Sequence, residues 1–320
     1  MKRTVIMTLL LLGLVVQGAS ARTYVISVNQ FVEHPALDAV LKGFQDYLTE
    51  KGLSVTYNTH NGQANMGTAT QIAKQMIGEE PDLLVAIATP SAQATAQAND
   101  RAPADRQRPF LFTAVTDPVA AGLVKNPDKP GGLTTGVSDL LPLDKHIDMV
   151  LTFIPAIKRL GILYNAGEAN SKANVEGIKR IGMQRGFTVI EATANKTADV
   201  YQAAKSLVGR VDAVFVPTDN TIVSALESVL KVGVENKLPV FAADVDSVER
   251  GCIAAMGFDY YKHGYQTGAM AERIFNGARP GEMAVEFQKD LQLQINTKAA
   301  KLMGVTPPAA LLAAASKIYE

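Results

Sequence analysis

From residue 24 onward one local plan recurs: a short apolar run, a polar stretch holding Ser, Thr, Asp or Asn, then an amphipathic segment. Residues 24–29, 55–57, 83–88 and 110–115 are apolar runs of the first half, and 159–164, 188–192, 213–216 and 240–243 those of the second. Such runs suit strands buried on both faces. The segments between them are helical: residues 36–51 place Leu37, Val40, Leu41, Phe44 and Leu48 on one face, and Gly52 stops the run. Strands alternating with amphipathic helices predict an α/β protein with parallel sheets covered by helices on both faces.

The plan restarts after Asp139, and a chain of 320 residues is longer than one compact core usually holds. Two doubly wound parallel-sheet lobes are therefore expected. Residues 110–139 carry a strand, a polar end, a detour broken by Pro127, Pro130, Gly131 and Gly132, and a second strand leading elsewhere, which reads as a lobe-to-lobe crossing. Thr116-Asp117-Pro118 reads as the cap and first turn of a helix. The tail adds a strand at 252–258, a helix to about Asn276, and strand-like material at 286–296 in which Leu291, Leu293 and Ile295 alternate. These pieces allow two more crossings, giving a three-stranded hinge near Val137, Phe258 and Val285. The expected lobes are 22–136 with 258–284, and 137–257 with 285–320.

The first 21 residues read as a signal peptide: Lys2-Arg3, an apolar stretch at 5–16, then Ala19-Ser20-Ala21. Export to a bacterial periplasm is expected, without a lipid anchor, because no cysteine lies near the cleavage site. The one cysteine, Cys252, sits in an apolar run and reads as a core residue. Lys plus Arg and Asp plus Glu balance at 31 each with no basic stripe, which argues against nucleic acid. His34, His60, His146 and His263 lack ligand-like spacing, so no metal is expected. No P-loop, G-x-S-x-G or G-x-G-x-x-G occurs, and neither a cofactor nor an enzymatic activity is expected.

In open α/β sheets ligands bind beyond the carboxyl ends of the strands, where helix N-termini present free N–H groups. In lobe one those positions hold Gln30, Phe31 and His34, then Thr89 and Ser91, then Thr116 and Asp117, with Ser138 and Asp139 at the crossing. In lobe two they hold Asn165, Asn170 and Ser171, then Thr218, Asp219 and Asn220, then Asp244, with Asp259 after the last strand. Donors facing carboxylates suit a small zwitterion, although the same residue types are also simply good caps. Phe31, Tyr164, Phe258, Tyr260 and Tyr261 are aromatic groups near strand ends, for core packing or for an apolar ligand side chain.

Particular stretches also carry a family likeness. They are Gln30-Phe31-Val32 with His34, Thr89-Pro90-Ser91-Ala92-Gln93, Val115-Thr116-Asp117-Pro118, Lys129-Pro130-Gly131-Gly132, Gly161-Ile162-Leu163-Tyr164-Asn165 and Val216-Pro217-Thr218-Asp219-Asn220-Thr221. Together they resemble the ABC-transporter substrate-binding proteins of the type I periplasmic-binding fold, in the tryptophan/tyrosine-binding-like branch. The resemblance implies a clamshell, expected to be a monomer, that delivers a small solute to an inner-membrane ABC permease. An aromatic amino acid is the expected solute, with its carboxylate on Thr89, Ser91 and Thr116, its amino group on Asp219 and Asp244, and its side chain on Phe31. A periplasmic sensor serving a receptor kinase, or another small organic solute, is the alternative.

Overall fold

The computed structural model describes residues 22–320, so the expected signal peptide lies outside the described residues. The first lobe begins with strands β1 (Thr23–Gln30), β2 (Ser54–Asn61), β3 (Leu83–Ile87), β4 (Phe110–Val115) and β5 (Thr134–Ser138), joined by helices α1 (Pro35–Glu50), α2 (Met66–Gly78) and α3 (Thr89–Arg101). Strand β3, Leu-Leu-Val-Ala-Ile, shows why these runs are strands. Leu83, Val85 and Ile87 enter the core on one side of the sheet, while Leu84 and Ala86 join Ile72, Met76 and Phe112 on the other. Both faces are covered, as an unbroken apolar run requires.

The chain then enters lobe two through α4 (Leu143–Phe153). Strands β6 (Arg159–Tyr164), β7 (Thr188–Thr193), β8 (Ala213–Val216), β9 (Val240–Ala242) and β10 (Ala254–Gly257) follow. Between them come α5 (Ala169–Arg185), α6 (Val200–Lys205), α7 (Asn220–Ser224), α8 (Leu226–Asn236) and α9 (Asp246–Arg250). Helix α10 (Tyr260–Phe275) returns to lobe one and lies along α1. Their contact is backbone to backbone: a Cβ added at Gly43 would sit 2.0 Å from the Tyr261 carbonyl oxygen, and one at Gly264 1.9 Å from that of Val40. Strand β11 (Glu286–Phe287) then pairs with β5, after which β12 (Gln292–Asn296), α11 (Thr297–Leu302), α12 (Ala309–Ala314) and β13 (Lys317–Tyr319) complete lobe two.

The first sheet runs β11-β5-β4-β3-β1-β2 and is parallel throughout. The second runs β13-β12-β10-β9-β8-β6-β7; it is parallel except that β12 meets β10 antiparallel. The protein is thus an α/β fold of two lobes. Several sequence expectations are corrected. Strand β5 pairs with β4 through Ser138, so the first crossing is at residues 139–142 and not at 136–137. The strand-like stretch 286–296 is two strands in different sheets, with residues 288–291 crossing between them. Residues 285–287 accordingly stay with lobe one. No helix follows Thr116-Asp117-Pro118: Asp117 caps a turn, its Oδ1 accepting from the Val119 and Ala120 N–H groups, and Gly122 at φ 73° ends it.

Candidate functional site

The carboxyl ends of β4, β5, β6, β8 and β9 face one another across the two lobes. Between them lies a narrow cavity with ≈ 20 Å³ of free volume as the lobes stand, room for little more than a water molecule. Eight of the expected residues line it: His34, Thr116 and Asp139 from the lobe-one side, and Asn170, Thr218, Asp219, Asn220 and Asp244 from lobe two. Ala36, Leu37, Ala114, Val223 and Tyr260 complete the lining and give it an apolar part. Thr116 Oγ1 and Thr218 Oγ1 are 3.3 Å apart, a direct contact across the cleft.

The lobe-one face is built on strained backbone. Ala88, the N-cap of α3, sits at φ 80°, ψ 152°, a region that glycine alone occupies freely. Ala114, in the cavity wall, has φ 51° where the β4–β5 register shifts. Ala114 N–H donates to His263 Nε2 at 3.0 Å. His263 is fully buried against Phe258, and burial lowers its pKa to about 3. Thr89, at the first turn of α3, is buried, and its Oγ1 has no partner. His34 caps α1, its Nδ1 accepting from Leu37 N–H, which leaves Nε2 to carry the ring proton toward the Asn220 side chain. Burial, reinforced by the charge of Arg250, pushes His34 down to about 3.

The lobe-two face is a closed hydrogen-bond network. Asp219 Oδ2 accepts from Asn165 N–H at 2.5 Å and Ser171 Oγ at 2.6 Å, while Oδ1 accepts from Ile222 N–H at 2.8 Å. Asp244 is spent on the backbone N–H and hydroxyl of Ser247. Glu168, which the sequence did not single out, gathers four donors from the first turn of α7. They are the N–H and Nδ2 of Asn220, at 3.1 and 2.6 Å, and the N–H and Oγ1 of Thr221, at 3.0 and 2.8 Å. Burial, and then the charge of Glu168, pushes Asp219 well above the usual carboxylate range. Burial also raises Asp244.

Asp139 stands apart. Its Oδ2 accepts from the Tyr260 hydroxyl at 3.0 Å, while its buried Oδ1 has no partner. Burial pushes it up to about 6, against the lowering pull of the Thr116 and Tyr260 hydroxyls. No lysine or arginine lines the cavity. Arg250, whose charge reaches Asp244, is forked onto Glu227 at 2.9 Å. Among the described residues no group of three His, Cys, Asp or Glu side chains is placed to hold a metal ion, and no helix is long and apolar enough to cross a membrane.

The other expected residues do not line the cavity. Gln30 ties the β1–α1 loop through the Val32 carbonyl and Asp38. Phe31 is 1% exposed and lines an outer groove, with residues 63–67 of lobe one and 165–168 of lobe two, so it is not part of the cavity lining. Ser91 is likewise corrected: its hydroxyl donates to Asn29 Oδ1 inside lobe one. Ser138 holds the hinge by donating to the Thr116 carbonyl, and Asp259 caps α10. Asn165 and Ser171 serve the lobe-two network, and Asp117 serves its turn.

The chain matches the family model for ABC transporter substrate binding proteins over residues 25–319. It is 39% identical over 282 residues to a tyrosine-binding protein of Clostridioides difficile, covering 87% of this chain and 80% of that one. A Streptococcus pneumonia domain solved in complex with L-Trp superposes with a TM-score of 0.86 at 34% identity, over 92% of this chain and 99% of that one. A ligand-free, open substrate binding protein with adhesive properties from Clostridium difficile gives 0.67 at 38% identity, over the same 92% and 99%. The present structure superposes better on the L-Trp complex than on the ligand-free, open protein.

Proposed function

Because the chain belongs to the family of ABC transporter substrate-binding proteins, we propose that it is the exported solute receptor of an importer and that its ligand is an aromatic amino acid of the tyrosine or tryptophan kind. The observation that carries this reading is the interlobe cavity, whose acidic lining holds no lysine or arginine. A ligand that fits must bring positive charge to one end, and an amino acid does. Its carboxylate is assigned to the N-terminus of α3, which lies outside the present cavity lining and where the Thr89 hydroxyl lacks a partner and helix N–H groups are free. Its side chain goes to the part formed by Ala36, Leu37, Val223 and Tyr260. The protein acts in the periplasm without catalysis, and closure presents the loaded form to a membrane permease.

The chain contains no tryptophan, so indole emission reports ligand alone. Protein stripped of ligand by unfolding and refolding should bind L-tyrosine and L-tryptophan in calorimetry with Kd at or below about 10 µM, equivalent to about −7 kcal/mol. Bound tryptophan should show raised anisotropy under selective excitation. Absence of both signals, with thermal stabilisation by an unrelated solute, overturns the aromatic assignment.

A further inference from the structure

The cavity walls are polar, yet nearly all their acceptors are spoken for. Asp219 and Asp244 each hold donors on both oxygens, and His34 Nδ1 is used by its own helix. Two side-chain oxygens in the lining are buried without a partner: Asp139 Oδ1 and Asn170 Oδ1. The Asn170 amide is not ambiguous. Its Nδ2 donates to the Thr218 carbonyl at 2.7 Å and to Glu168 Oε2 at 3.2 Å, groups that only accept, so the free atom is the oxygen.

The two oxygens belong to opposite sides of the cleft. Asp139 follows β5; its N–H donates to the Val115 carbonyl and its Oδ2 is held by Tyr260 of α10, both in lobe one. Asn170 lies in the first turn of α5, fixed to the lobe-two network. We propose that Asp139 and Asn170 form a clamp for a primary ammonium group, and that this group of the ligand, bridging the lobes, is what draws them shut. The proposal rests on the amino-acid reading of the same site and names the pole of the ligand that drives closure.

A buried acceptor left unpaired is costly, more so when charged, and an ammonium brings three donors without needing an acceptor. Asp139 in the closed cavity therefore lacks the countercharge that such a group supplies. An interaction that differs between open and closed forms shifts their balance, whereas one made equally in both does not. A bridge with one end in each lobe can form only when they close. Tyr260 is a positioning residue here, turning the Asp139 carboxylate so that Oδ1 remains free.

The test uses the ligand-stripped wild-type chain with L-tyrosine, tyramine and 3-(4-hydroxyphenyl)propionate, reading affinity by calorimetry and compaction by small-angle X-ray scattering. Removing the amine should weaken binding by about 100-fold or more and leave the protein extended at saturation. Tyramine should still compact it. Asp139→Asn and Asn170→Leu should each weaken tyrosine binding by about 10-fold or more; the ligand-free melting temperature should be nearly unchanged in Asp139→Asn, whereas Asn170→Leu also strips donors from the Thr218 carbonyl and Glu168 and lowers it. Compaction by the amine-free acid, or tyrosine affinity within threefold of wild type in both variants, overturns the clamp. If the protein ignores tyrosine and tryptophan but binds another primary amine, the aromatic reading fails and the clamp stands. Tight binding of a solute lacking an amino group removes the clamp itself.

Discussion

The two faces of the cleft solve opposite problems with similar residues. Lobe two presents Glu168, Asp219, Asn165, Ser171 and Thr221 as a network in which each carboxylate oxygen already holds a donor. Lobe one presents a buried hydroxyl at Thr89 and a carboxylate oxygen at Asp139 with no partner, on strained backbone at Ala88 and Ala114. A saturated network makes a rigid platform with little left for a ligand; a face with open positions binds. On the lobe-two side, the unpartnered oxygen of Asn170 is the exception.

Glu168→Ala should break the platform. It leaves four donors unpaired in a buried site, each at roughly 1–3 kcal/mol, so a stability loss of about 3 kcal/mol or more is expected. That corresponds to a fall of about 10 °C in melting temperature by calorimetry. A change below about 1 °C would mean that the network carries no load.

The strained face predicts the reverse sign. Ala88→Gly admits the φ 80°, ψ 152° geometry without a Cβ, at some entropic cost. The variant should gain about 1 kcal/mol in denaturant unfolding of the ligand-free protein. A loss of similar size would show that Ala88 is not strained.

Titration separates the faces most gently. On the acidic side Asp139, with a pKa of about 6, binds a proton that its unfolded form has released, so its own contribution to stability falls as pH rises from about 4 to 6. His34, His263 and His146, at about 3, 3 and 4, act oppositely: the unfolded chain takes up protons first, so stability rises with pH up to about 6.5. Above that only raised carboxylates remain, Asp219 and Asp246, the latter at about 7, and both bind more protons folded than unfolded. The melting temperature of ligand-free protein should therefore decline from pH 6.5 to 8.5, less steeply in Asp219→Asn. Ligand affinity should instead fall as pH drops through about 6, where Asp139 becomes protonated. A flat profile above pH 6.5 would contradict the burial of these carboxylates.

Much of this architecture could be read from sequence, because its signals are local. Apolar runs such as Leu83–Ile87 specify strands, and the apolar face Leu37, Val40, Leu41, Phe44 and Leu48 specifies a helix, which the structure extends from Pro35 to Glu50. Long-range facts were not legible. Residues 286–296 read as one strand-like stretch in which Leu291, Leu293 and Ile295 alternate, and nothing local assigns Glu286–Phe287 to the other sheet. Glu168 looks like an ordinary acid near a helix start, and only folding brings Asn220 and Thr221 onto it. Asp219 had the composition of a ligand residue, but its oxygens are consumed by Asn165, Ser171 and Ile222. Ala36, Leu37 and Val223 line the cavity with residue types that any core uses.

A crystal structure of the refolded protein with L-tyrosine tests the central claim most directly. The account predicts the ligand nitrogen between the lobes, within about 3 Å of both Asp139 Oδ1 and Asn170 Oδ1. A nitrogen seated on Asp219 or Asp244, with those two oxygens still unpaired, would contradict it.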